Sequence, residues 1–150
     1  MKNELNFKSN IDNYWKLYFF IVLIIILFNF IFVKELKQFS FEYYFLIMIP
    51  MWIGCLSINN YETEKLKEFV RKYSAENHPE KLKEFQEKPV NLLDSDTEDI
   101  LDLLRDEQLL EDKNILILKN EAQKITLFMY SVFITMPLVL LFVVFVILRW

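Results

Sequence analysis

Two of the residues from which reactive sites are most often built are almost missing. The chain of 150 residues contains one cysteine, Cys55, and one histidine, His78. A disulfide or a thiolate metal cluster needs at least two cysteines, so neither can form within this sequence. We therefore expect no bound metal and no cofactor.

Glycine and net positive charge are scarce as well. Gly54 is the only glycine, and the sequence contains no Ser/Gly-rich linker, no internal repeat and no low-complexity stretch. The formal net charge is −4, whereas nucleic-acid-binding domains carry a surplus of lysine and arginine. The composition predicts no nucleic-acid partner.

Charge is absent from two long stretches, although 25% of all residues are charged. Residues 17–33 contain Asn29 as their only strongly polar residue, and residues 125–148 carry no charge at all. At about 1.5 Å per residue, helices of these lengths reach roughly 25 Å and 36 Å, close to or beyond the thickness of the hydrocarbon core. Both stretches are predicted to be transmembrane helices.

A third apolar stretch covers residues 39–58 and contains Glu42 near its beginning and Pro50 near its middle. With Glu42 at headgroup depth, the residues after it are apolar or small and can cross the membrane. We therefore predict an all-α fold with three transmembrane helices, in which a small cytoplasmic helical domain lies between the second helix and the third.

The first apolar stretch could instead belong to a secretory signal peptide, since lysines precede it. Cleavage requires small residues, but the segment that follows, KELKQFSFEYY, contains neither Ala nor Gly. We interpret it as a retained helix that binds lipid.

The distribution of lysine and arginine predicts the orientation. Fourteen of the seventeen basic residues fall in the leader, 1–16, or in the segment 59–124, and both are therefore placed in the cytoplasm. Residues 34–38 then form an outer loop, and 149–150 an outer tail. The expected location is a bacterial inner membrane, with the N-terminus in the cytoplasm and the C-terminus outside.

Two sets of residues within or beside the spans are expected to matter for packing. Small or polar residues allow helices to approach each other closely and to form hydrogen bonds, and aromatic residues anchor helix ends at the membrane interface. The predicted helix-packing residues are Asn29, Gly54, Ser57, Ser131 and Thr135. The predicted interface residues are Tyr14, Trp15, Tyr43, Tyr44, Tyr61 and Trp150.

The segment 59–124 carries eleven basic and seventeen acidic residues, a net charge of −6. The apolar residues of its first part recur at helical spacing from Leu66 to Tyr73, without a break from the second span. His78-Pro79 predicts the start of a short helix, Ser95 and Glu98 fit a capping box for another, and a last helix continues into the third span. A domain of this size should need the membrane helices or oligomerisation for stability.

Possible reactive residues have simpler structural explanations. His78 could be a base or a metal ligand, but its place before Pro79 fits a helix cap. The acidic run from Asp94 to Asp102 could bind calcium, but it lacks EF-hand spacing and suits a helix start. No acidic or basic residue lies at mid-depth in a span, which argues against an ion-coupled transporter. No small-molecule substrate is evident.

Two segments resemble a known family. ENHPEKLKEF and LLRDEQLLEDKNILILKNEAQKITLF, together with the order of leader, span, cytoplasmic helices and span, resemble small bacterial proteins of the universal stress protein B kind. The likeness covers about half of the chain, which differs from the family by its additional second span. It implies an inner-membrane protein without enzymatic activity that is linked to stress tolerance.

Three functions are compatible with these features. The first is a structural or accessory protein that binds a larger membrane complex, or further copies of itself. The second is an immunity protein against a pore-forming bacteriocin, since KITLFMYSVFITMPLVLLF looks like the last span of such proteins. The third is a membrane-disrupting defence effector, which is less compatible with spans that are apolar on all sides. The sequence does not predict an enzyme.

Overall fold

The described part of the chain is helical. The computed structural model describes residues 7–31, 42–87 and 100–149, and among these it contains helices and no strand. The α-helices are α1 (Ile11–Ile31), α2 (Glu42–Asn77), α3 (Pro79–Glu87) and α4 (Lys113–Arg149), and a 3₁₀ helix runs over Ile100–Arg105. The prediction of an all-α fold is confirmed for the described residues.

Two stretches of helix are long and apolar enough to cross a membrane, Ile11–Ile31 and Lys113–Phe145. They include the predicted first and third spans, apart from residues 32–33 and 146–148. Many of their large apolar side chains are exposed, which suits a lipid environment better than the core of a soluble protein. The most exposed are Phe20, Phe30, Ile31, Tyr130, Ile134 and Leu141.

The second predicted span is not among these stretches. Its residues from Glu42 onward belong to α2, in which further charged residues follow from Glu62 onward. Residues 39–41 and the predicted outer loop, 34–38, lie outside the described residues. The second span therefore stays a prediction.

Both long helices are continuous, as the sequence predicts. Helix α2 runs for 36 residues with Pro50 inside it, and α4 runs for 37 residues with Pro137 inside it. No Pro or Gly lies between Ile58 and His78 or between Lys113 and Pro137, so each helix can propagate, because propagation adds a hydrogen bond for each residue fixed.

The connection between α3 and α4 differs from the prediction. The buried residues Ile100, Leu103 and Leu104 lie on a 3₁₀ helix and not on an α-helix, and turns follow it up to Asp112. A 3₁₀ helix has three residues per turn, so Ile100 and Leu103 share one face of this short element. The predicted capping box, Ser95 with Glu98, lies outside the described residues.

The chain divides into two compact units, whose boundaries fall at Ser9, Asn60 and Lys124. The first unit, which we call the head, consists of residues 7–9, 61–87 and 100–124 of the described chain. Its core contains the apolar residues that recur at helical spacing from Leu66 to Tyr73 on α2, together with leucine and isoleucine side chains of the later elements. The buried members are Leu66, Val70, Tyr73, Leu82, Ile100, Leu103, Leu104, Leu109, Ile115 and Leu118.

The second unit contains residues 10–31, 42–60 and 125–149 of the described chain. Its buried residues on α4 recur every three or four positions, so they lie on one face of the helix. Phe128, 1% exposed, contacts the rings of Trp15 and Tyr18 of α1 edge-on. Most other apolar side chains of α1 are exposed, which leaves a broad surface for lipid or for another helix.

Candidate functional site

Asp112 occupies the cap position immediately before α4. Its Oδ1 atom accepts a hydrogen bond from the backbone N–H of Asn114 at 2.9 Å, and its carbonyl oxygen accepts one from the N–H of Leu116 at 3.1 Å. Aspartate is favoured at this position because its carboxylate satisfies an N–H that has no partner within the helix.

The other carboxylate oxygen of Asp112 binds two residues from earlier elements. Tyr73 Oη of α2 donates to Oδ2 at 2.7 Å, and His78 Nε2 lies 2.9 Å from the same atom. The side-chain amide of Asn114 in turn donates to Tyr73 Oη at 3.0 Å. These four side chains, Tyr73, His78, Asp112 and Asn114, form the Asp112 cluster, which joins the end of α2 to the start of α4.

The backbone of His78 explains its position in the cluster. Its N–H donates to the carbonyl of Ser74 at 2.8 Å and so ends α2, and its carbonyl accepts the N–H of Leu82 at 3.1 Å and so begins α3. The predicted helix start at His78-Pro79 is confirmed. Because the backbone alone makes this connection, the imidazole is available to pair with Asp112.

The cluster keeps Asp112 ionised and Tyr73 neutral. Burial alone would raise the pKa of Asp112, but hydrogen bonds from Tyr73 and His78 outweigh it, and the pKa lies below its usual value. The pKa of Tyr73 is raised, first by burial and further by the neighbouring carboxylate. At neutral pH, a carboxylate therefore accepts hydrogen bonds from a neutral phenol and an imidazole.

A His–Asp pair is also part of many nucleophilic sites, where the histidine activates a hydroxyl or a thiol. The hydroxyl group found beside this pair belongs to Tyr73, whose raised pKa opposes activation. The head contains a cavity of about 400 Å³, but other residues line it. They are Lys81, Glu84, Phe85, Asp102, Leu103, Arg105 and Asp106. The geometry of the Asp112 cluster thus suits a structural role, in which its hydrogen bonds join the end of α2 to the start of α4.

A second buried polar group in the head surrounds Glu121 of α4. Its Oε2 atom accepts hydrogen bonds from the backbone N–H of Ser9 at 3.0 Å and from Ser9 Oγ at 2.5 Å, and Oε1 pairs with Lys124 Nζ at 2.7 Å. Burial would raise the pKa of Glu121, but the bonds from Lys124 and Ser9 lower it. Glu121 is thus ionised, and its carboxylate binds Ser9 in the segment before α1.

Among the predicted helix-packing residues, Thr135 makes a contact between helices. Its hydroxyl shares a hydrogen bond with that of Tyr18 on α1 and also donates to the carbonyl of Ser131 at 2.7 Å. Asn29 is buried, and its amide donates to the carbonyl of Ile25 within its own helix at 2.7 Å. The pair of Tyr18 and Thr135 is a polar link between α1 and α4.

Gly54 and Ser57 have a different environment. Both are exposed, and a Cβ atom added at Gly54 would meet no atom within 4 Å. Ser57 Oγ donates to the carbonyl of Ile53 at 2.9 Å, within α2. Within the described residues, this small surface is open, and no other helix packs on it.

The predicted interface residues are described only in part. Tyr14 and Trp15 lie in the first two turns of α1 and are partly exposed, and Tyr61 on α2 is 64% exposed. The side chains of Tyr43, Tyr44 and Trp150 lie outside the described residues. In a membrane, these positions of Tyr14, Trp15 and Tyr61 would suit aromatic anchors.

The acidic run is described only at its end. Asp94, Asp96, Glu98 and Asp99 lie outside the described residues, and Asp102 forms an ion pair of 3.0 Å with Arg105. Within the part of the chain that the structure describes, no three His, Cys, Asp or Glu residues are arranged to hold a metal ion.

Sequence reasoning missed the partners of His78 and Glu121. Asp112 is 34 positions from His78, and Ser9 is 112 positions from Glu121. The sequence Asp-Lys-Asn before an apolar helix could have indicated the cap at Asp112. No local pattern could have indicated that His78 and Tyr73 share it.

Comparison with known proteins adds no relative. No family model, no curated protein and no solved structure matches this chain. Any functional assignment therefore depends on the residues and geometry described above.

Proposed function

We propose that this chain is a non-enzymatic integral membrane protein that acts as a structural or accessory subunit of a larger membrane complex or of a homo-oligomer. It lies in a bacterial inner membrane with its head in the cytoplasm and its C-terminus outside. Two observations support this location. Two helices are long and apolar enough to span a membrane, and large apolar side chains are exposed along them. Basic residues are in excess in the segments assigned to the cytoplasm.

The open surface at Gly54 and Ser57 is the observation that carries the accessory role. Small residues let two helix backbones approach closely, and the resulting packing helps helices to associate in lipid. This surface has space for a neighbouring helix above Gly54. We therefore assign it to the contact with a partner subunit or a second copy.

The polar groups of the head support a role without catalysis. The Asp112 cluster joins three helical elements, and Glu121 binds Ser9. Each of these groups has a structural role, as expected for a head that positions helices or contacts a partner. The resemblance to proteins of the universal stress protein B kind likewise implies an inner-membrane protein without enzymatic activity.

Copurification after extraction of native membranes in mild detergent tests the proposal. The wild-type chain should elute with a membrane protein partner or as an oligomer. Gly54→Leu should abolish this association while leaving the isolated chain folded, because its side chain extends into open space. Leu141→Ala, on an exposed position of α4, is the matched control and should leave the association intact. A wild-type chain that elutes alone as a monomer contradicts the proposal.

An immunity protein against a pore-forming bacteriocin is the second candidate. The exposed phenylalanines of α1, namely Phe19, Phe20, Phe28 and Phe30, provide a surface that could bind the helices of a toxin within the membrane. Cells that express the chain would then survive the toxin, and substitution of Phe20 and Phe30 by alanine would remove the protection. Unchanged killing by pore-forming bacteriocins excludes this candidate.

A further inference from the structure

The cavity in the head is lined by two segments that are separated along the chain. Residues of α3 between positions 81 and 85 line it, together with residues between positions 102 and 106, on the 3₁₀ helix and just after it. Its volume of about 400 Å³ falls within the range of small-molecule sites, which is about 300–1,000 Å³. The cavity therefore has room for a ligand of the size of an amino acid.

Two apolar side chains form part of the lining. Phe85 is partly exposed, and Leu103 is 4% exposed. Small-molecule sites combine such apolar surface with a small number of polar groups that fix the orientation of the ligand. Two residues provide little apolar surface, so this part of the lining suits a single aliphatic or aromatic group.

The remaining lining residues are charged, and both signs are present. Lys81 Nζ lies 3.2 Å from Glu84 Oε2 and 3.6 Å from Asp106 Oδ2. Arg105 Nη1 lies 3.0 Å from Asp102 Oδ1. All five of these residues line the cavity. Cations and carboxylates are thus paired side by side along one cavity.

This arrangement discriminates between ligands by their charge. A ligand with only a negative charge would meet three carboxylates, and a ligand with only a positive charge would meet two cations. A ligand that carries an ammonium group beside a carboxylate can place each group opposite a lining group of the other sign, which avoids contacts between like charges. An α-amino acid carries these two groups on one carbon atom, and its side chain can occupy the apolar part of the lining.

The ion pairs within the lining leave its charged groups accessible to such a ligand. The side chains of Arg105 and Glu84 are 82% and 63% exposed, and ion pairs between exposed groups contribute little to stability. The charged groups of a ligand can therefore share or replace these pairs at small cost. Lys81 is a cation at neutral pH, since hydrogen bonding to Glu84 and the charge of Asp106 raise its pKa.

We propose that this cavity binds a free α-amino acid with an apolar side chain. The carboxylate of the ligand pairs with the two lining cations, its ammonium group pairs with the lining carboxylates, and its side chain contacts Phe85 and Leu103. This inference goes beyond the proposed accessory function, because it assigns a small-molecule ligand to the head. Only the fold brings the two lining segments together, so no local pattern in the sequence indicates the site.

Isothermal titration calorimetry of the purified full-length chain in detergent tests the proposal. The probes are L-leucine and L-phenylalanine, and at least one of them should bind saturably. Isoamylamine and phenethylamine keep only the ammonium group of these amino acids, whereas isocaproate and hydrocinnamate keep only the carboxylate. Each analogue should bind at least about tenfold more weakly than its amino acid, since it loses one set of charge-assisted interactions.

Two substitutions test whether the cavity is the site. Lys81→Met should weaken binding of the amino acid at least about tenfold, because it removes the cation and keeps an apolar stem. Asp106→Asn should also weaken it, while its amide oxygen can still accept the hydrogen bond that Asp106 accepts from the N–H of Gln108. Lys83→Met and Glu107→Gln are the matched controls, since both residues are exposed and neither lines the cavity. Their Kd values should be within about twofold of that of the wild type.

Three results would overturn the proposal. They are a wild-type chain that binds neither amino acid, an amine or acid analogue that binds as tightly as its amino acid, and binding that Lys81→Met and Asp106→Asn leave unchanged. The first two results use the wild type alone, so they do not depend on the folding of a variant. The calorimetry does not involve Gly54, so it can fail while the copurification with Gly54→Leu succeeds, and the reverse.

Discussion

His78 Nε2 lies 2.9 Å from Asp112 Oδ2, although 34 positions separate the two residues. The carboxylate that pairs with the imidazole also caps α4 and accepts a hydrogen bond from the hydroxyl group of Tyr73. A single side chain therefore joins the end of α2, the start of α3 and the start of α4. Loss of the Asp112 side chain should therefore affect all three elements.

Asp112→Ala should destabilise the head by about 1–3 kcal/mol, because it removes a helix cap and leaves the Tyr73 hydroxyl without its acceptor. Hydrogen exchange measures this as faster exchange of the amides between Asn114 and Leu118. Glu111→Ala is the control, since Glu111 is an exposed neighbour, and a change within about 0.5 kcal/mol is expected there. Equal effects of the two substitutions would contradict the structural role of Asp112.

Acid should loosen the head through Asp112 and Glu121. The pKa of each is lowered in the folded chain, so each contributes stability that is present above its unfolded pKa, about 4, and lost as pH falls through the folded pKa. Thermal unfolding followed by circular dichroism should show Tm decreasing below about pH 4. The chain with Asp112→Asn and Glu121→Gln should show a smaller decrease, and an unchanged decrease would assign the effect to other groups.

Alkali should loosen the head through Tyr73. Its pKa is raised in the folded chain, so the stability from the neutral phenol is complete below the unfolded pKa, about 10, and is lost as pH rises through the folded value. Ultraviolet difference spectra of the wild type and of Tyr73→Phe should differ by one tyrosine that ionises late in the wild type. If the tyrosine removed by Tyr73→Phe ionises at the pH of a free tyrosine, the burial of Tyr73 against Asp112 is wrong.

The hydroxyl pair of Tyr18 and Thr135 should couple α1 to α4. A double-mutant cycle with Tyr18→Phe and Thr135→Val should give an interaction energy of about 0.6 kcal/mol and at most about 1.7 kcal/mol, the range for hydrogen bonds between membrane helices. Unfolding in mixed micelles by increasing sodium dodecyl sulfate measures it. Ser57→Ala combined with Thr135→Val is the control pair, because Ser57 bonds within α2, and it should give no coupling.

A charge on the exposed face of α1 should impair membrane insertion. Leu23 is 51% exposed, and an aspartate at the centre of a span costs about 2.5–3.5 kcal/mol. The fraction of Leu23→Asp that resists alkaline carbonate extraction should therefore decrease, whereas Leu23→Phe should behave as the wild type. A wild-type chain that carbonate releases from the membrane would contradict the membrane assignment itself.

The sequence determines the features that depend on neighbouring residues. Long runs without charge identify α1 and the later part of α4 as possible spans, and the lack of further helix-breaking residues explains why α2 passes from its apolar part into its charged part without interruption. His78-Pro79 marks the start of α3, and the sequence predicts it because capping and backbone geometry depend on neighbouring residues. The sequence predicts an α-helix where the 3₁₀ helix Ile100–Arg105 forms, because apolar spacing over six residues fits both.

Only the tertiary structure decides which distant side chains meet. Asp112 with His78, Glu121 with Ser9, and Thr135 with Tyr18 are separated by 34, 112 and 117 positions, and no periodicity relates their positions. Each pairing depends on how helices pack after they form, which hydrophobic burial drives without regard to position along the chain. The groups that join the elements of the head therefore arise from packing.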